Sequence, residues 1–85
     1  MNADRTAQET YQQHQNDIAA LTDLIEQELK QHAERAAADP KNWGFAGDLN
    51  EVKHRLIQAL AMISGICEDT IEESLAEMAA DQIAN

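Results

Sequence analysis

The chain has 85 residues, a formal charge of −10 from 16 acids against 6 Lys and Arg, and a single cysteine, Cys67. So short a chain is one domain with a small core, and one cysteine excludes an internal disulfide, which leaves self-association as the source of added stability. The acid excess excludes nucleic acid and anionic membrane as direct ligands, since both are gripped through Lys and Arg, and it suits solubility or a basic protein partner.

The opening residues, "MNADRTAQET", are polar, with no apolar leader and no basic start. The longest uncharged run, Leu56–Cys67, has 12 residues, short of the about 20 that cross a bilayer. The expectation is a soluble, cytoplasmic protein, and an unpaired cysteine agrees with a reducing compartment.

Residues 4–38 read as one long helix. Ala7, Tyr11, His14, Ile18, Leu21, Ile25, Leu29, His32 and Ala36 recur at spacings of three and four, which sets them on one stripe. Thr6 with Glu9 has the spacing of a capping box. Pro40 ends the helix, because it pushes Asp39 out of the helical region. About 35 residues at 1.5 Å each give roughly 50 Å. A second helix half that long cannot cover such a stripe, and a second chain would.

Residues 39–47 read as a connector. It holds the only proline, the only tryptophan, the only phenylalanine and two of the three glycines. Gly44 and Gly47 are read as turn residues at positive φ, and Asp48 with Glu51 as the capping box of the next helix. Trp43 and Phe45 are expected to fold over the junction and cover the end of the bundle. Alternatively, Trp43 stays exposed as a binding anchor, a role in which tryptophan is enriched.

The second helix is expected over 49–64. Its stripe is Leu49, Val52, Leu56, Ala59, Leu60 and Ile63, widened by Ile57, Ala61 and Met62 until the later half is apolar nearly all round. The third is expected over 70–83, capped by Asp69 with Glu72, with Ile71, Leu75, Met78, Ala79 and Ile83 as its stripe and an acidic opposite face. Gly65 sets the break between the two. The alternative is one kinked helix from 49 to 83.

Within "ALAMISGICEDTIEESL", Ala61 precedes Gly65 by four, Ile66 follows that glycine, and Ile71 lies six beyond it. This stretch, Ala59–Leu75, resembles the helix-turn-helix signature, with Thr70 where a recognition helix begins. The resemblance implies a bent helix pair. A recognition helix meets phosphates and base edges, yet this one offers Glu68, Asp69, Glu72, Glu73 and Glu77 and no Lys or Arg.

Glu51 and His54 have the E-x-x-H spacing of di-iron bundles, but both fall on the outer face of the second helix, away from its stripe. His14 and His32 stand about 27 Å apart along the first helix and cannot share a metal within one chain. Acidic neighbours are expected to raise the pKa of Cys67 and leave it unreactive. No cofactor, metal or catalytic group is expected.

The fold expected is all-α: a long N-terminal helix, the Trp/Gly/Pro connector and two shorter helices, or one kinked helix, in a helical hairpin or three-helix bundle that dimerises. The function expected is non-catalytic protein–protein interaction as a homodimer. Tyr11, His14, Ile18, Leu21, Ile25 and Leu29 form the dimer stripe, Trp43 and Phe45 the connector contact, and Glu68, Asp69, Glu72, Glu73 and Glu77 an acidic contact face. The alternatives are an acidic inhibitor or nucleic-acid mimic acting on a DNA- or RNA-handling protein, and a degenerate helix-turn-helix regulator.

Overall fold

Thr6 stands in extended backbone, and its hydroxyl accepts the N–H of Glu9 at 3.0 Å while the Glu9 carboxylate accepts the Thr6 N–H at 2.9 Å. Both orphan donors are satisfied reciprocally, so the expected capping box opens the first helix. The structure, a computed structural model, describes residues 6–84, with the side chains of 6–82. Helix α1 is Ala7–Ala38. Of its expected start, residues 4 and 5 lie outside the described residues, and Thr6 is the cap. Its 32 residues span about 48 Å. The Asp39 N–H turns back to the Ala36 carbonyl at 3.1 Å, and the next residue, Pro40, has no N–H with which to continue.

The second helix starts six residues earlier than expected. Helix α2 is Trp43–Ser64, so the connector is 39–42 and not 39–47. Asn42 is the cap, its Oδ1 accepting the Gly44 N–H at 2.8 Å. Once Asn42 has satisfied that donor, Trp43, Gly44, Phe45, Ala46 and Gly47 form the first turns of the helix. Neither Gly44 nor Gly47 takes positive φ, and Asp48 lies within the helix rather than capping it.

α2 stops where Gly65 predicts. Gly65 sits at φ 77°, ψ 3°, and its N–H donates to the Ala61 carbonyl at 3.0 Å. Ser64 ties the same turn, its hydroxyl donating to the Leu60 carbonyl at 2.7 Å and accepting the Ile66 N–H at 3.1 Å. The break is a left-handed C-cap, and the kinked continuous helix is excluded. Helix α3 is Glu68–Ala84, two residues earlier than expected, because the Cys67 carbonyl already accepts the Ile71 N–H at 3.2 Å. Glu68 and Asp69 thereby fall in the first turn, where the helix dipole favours acids. Asp69 is not the cap. The side chain of Ile83, the last of the expected α3 stripe, lies outside the described residues.

Among the described residues there are three helices and no strand. The chain divides between Lys41 and Asn42 into two units. The first holds α1 alone. In the second, α2 packs on α3. Ile57 and Ile71, at 5% and 6% exposure, are the buried apolar side chains among the described residues.

Candidate functional site

A lone amphipathic helix has no second element within its own unit to bury its stripe, and α1 shows the consequence. Tyr11, Ile18, Leu21, Leu24 and Leu29 are exposed, as is His14, while Ile25 and His32 are half-buried. At 100° per residue, Tyr11, His14, Ile18, Leu21, Ile25 and Leu29 share a sector about 80° wide. The six residues read from the sequence therefore form one strip of 19 residues, about 27 Å from end to end.

α2 carries a second strip that the sequence did not separate from its core contact. Ile57 marks the direction of α3, since it lines the α2–α3 groove together with Glu72. Measured around the helix from Ile57, Phe45, Leu49, Val52, Leu56, Leu60 and Ile63 lie about 60–140° to one side. Leu49, Val52, Leu56 and Leu60 are exposed, and Ile63 is 83% exposed. The leucine stripe of α2 is thus a surface separate from the contact with α3. The helix wheel contains both sectors, but nothing in it says which one a neighbouring helix takes.

Trp43 is 85% exposed, which overturns its expected role as a plug over the junction. Phe45 is half-buried. Held on the first turn of a helix, the indole points where that helix directs it and does not fold over a loop. On α3, Asp69, Glu72, Glu73 and Glu77 are exposed and Glu68 is half-buried. α3 itself has no base, and one of the five, Glu72, shares a groove with a base, Lys53 of α2.

Both E-x-x-H residues are exposed, as expected: Glu51 pairs with Arg55 at 2.9 Å, and His54, which borders the α2–α3 groove, lies 3.3 Å from Gln58. That groove, lined by Asn50, Lys53, His54, Ile57 and Glu72, holds about 110 Å³, below the about 300 Å³ at which small-molecule pockets begin. Among the described residues no three of His, Cys, Asp and Glu are grouped to hold a metal. No helix among them is long and apolar enough to cross a membrane.

Cys67 departs from its expected behaviour. The Thr70 hydroxyl lies 3.1 Å from its sulfur, and hydrogen bonds from the Thr70 side chain and then its backbone hold the thiol below its ordinary value, outweighing desolvation and the opposing charge of Asp69. The thiolate is the form that accepts those bonds. Its i, i+3 spacing from Thr70 at a helix start was the available signal.

Comparison of the chain with protein-family models, with curated proteins and with solved structures gives no match in any of the three.

Proposed function

We propose that this is a small non-catalytic interaction protein of the cytoplasm that acts as a homodimer, with the α1 stripe as the dimer surface. One observation carries the reading. Apolar residues at helical spacing are exposed along about 27 Å of α1, while only two apolar side chains, Ile57 and Ile71, are buried among the described residues. Contiguous exposed apolar surface marks an interaction site. Covering a whole Leu or Ile is worth about 1.5–3 kcal/mol. Tyr11, Ile18, Leu21 and Leu29 are each exposed by roughly half, so covering them returns on the order of 5 kcal/mol per protomer. A two-fold dimer uses that surface twice.

The test is a paired substitution on the stripe. Leu21→Asp with Ile25→Asp places two charges in the centre of the proposed interface. By light scattering at tens of micromolar, the parent protein is expected at twice 9.4 kDa and the variant at 9.4 kDa. A variant that keeps the parent's dimer mass would exclude α1 from the interface.

A second reading is supported by α3, whose six acids and no bases would fit a basic groove on a DNA- or RNA-handling protein. Such binding weakens as salt rises. Partners recovered equally at low and high salt would rule it out.

A further inference from the structure

The α1 stripe needs a specific counterpart, and the molecule offers three candidates: α1, α2 or α3 of a second copy. Charge separates them. α1 carries six acids against Lys30 and Arg35, and α3 carries six acids and no base, whereas in α2 Asp48 and Glu51 are matched by Lys53 and Arg55. Packed helices lie about 8–10 Å apart, within the about 8–10 Å over which salt screens charge. Pairing α1 with α1 or with α3 therefore sets two negative rods side by side. Pairing it with α2 does not.

Length and shape agree with charge. The α2 seam from Phe45 to Ile63 spans 19 residues, or about 27 Å, the same as Tyr11 to Leu29. Each strip advances by alternating steps of three and four: Tyr11, His14, Ile18, Leu21, Ile25 on α1, and Phe45, Leu49, Val52, Leu56 on α2. Such steps let two helices interdigitate. The seam lies well round α2 from Ile57, so a helix seated there does not displace α3. Within each unit taken by itself, most of the strip is exposed, Ile25 on α1 and Phe45 on α2 being half-buried.

We propose that the α1 stripe of each protomer seats on the α2 seam of its partner, giving a dimer held by two reciprocal α1–α2 contacts. The inference rests on the homodimer reading and adds the identity of the surface that receives α1.

Disulfide trapping tests it. In a Cys67→Ser background, Leu21→Cys is made with one affinity tag and Leu56→Cys with another. These positions lie within about one turn of the midpoints of their strips, so they approach in either helix direction, and a disulfide forms only where Cα atoms come within about 7 Å. The two proteins are unfolded together, refolded and oxidised. The expected product is a disulfide dimer bearing both tags, with same-tag products at background. A Leu21→Cys disulfide to itself, or no disulfide while light scattering still shows a dimer, overturns the inference and leaves the homodimer standing. An internal disulfide in the Leu21→Cys, Leu56→Cys double variant at monomer mass overturns both. Ile25→Cys with Val52→Cys repeats the test if either leucine variant loses helicity.

Discussion

Gly65 and Gly47 make opposite predictions from the same substitution. Gly65 stands at φ 77°, and a Cβ added there meets nothing within 4 Å. The cost of Gly65→Ala is therefore backbone strain alone, about 1–2 kcal/mol for an L-residue in the left-handed region. The loss of freedom in the unfolded chain offsets about 0.4–1 kcal/mol of it. The net is a destabilisation of about 1 kcal/mol. Gly47 is helical, and its Cβ also meets nothing within 4 Å, so Gly47→Ala removes a poor helix former and stabilises by about 0.5–1 kcal/mol. The two variants should differ by nearly 2 kcal/mol, or roughly 8–16 °C in Tm for a domain of this size. Far-UV circular dichroism during urea titration, at one protein concentration and with unchanged m-values, measures it. If Gly65→Ala is as stable as Gly47→Ala, then residue 65 is helical and α2 runs into α3 without a break, which refutes the turn.

Local geometry sets three further outcomes. Thr6→Ala removes the acceptor for the Glu9 N–H and should cost about 1 kcal/mol, seen as lost amide protection in the first turn of α1. Ile57→Ala should destabilise the α2–α3 unit by about 2 kcal/mol or more, whereas Met62→Ala, at 85% exposure and outside the seam, should leave thermal unfolding within about 0.5 kcal/mol. Thr70→Val removes the leading cause of the lowered Cys67 value. Its rate of alkylation by iodoacetamide should reach half-maximum at a higher pH than in the parent, because more of the thiol then stays protonated at any given pH.

Much of the fold was legible because its signals are local. Thr6 with Glu9 needs only a spacing of three, and Gly65 ends α2 because no other residue nearby tolerates left-handed backbone. The start of α2 was misplaced because Asp48 and Glu51 satisfy the same capping pattern that Asn42 meets differently, through the Gly44 N–H two residues on. Two glycines and two large rings suggested a loop, but a helix accommodates all four once its first donor is capped. The α1 stripe was legible as an apolar strip because periodicity alone defines it. The choice of Ile57 over the leucines as the contact with α3 was not, since which face a helix buries depends on where its neighbour lies.

Sedimentation equilibrium of the unmodified chain over a range of concentrations tests the dimer most directly. A second copy covering the α1 stripe predicts a mass that rises to twice 9.4 kDa. A constant 9.4 kDa up to tens of micromolar would mean that the exposed strips have no partner in another copy of this chain.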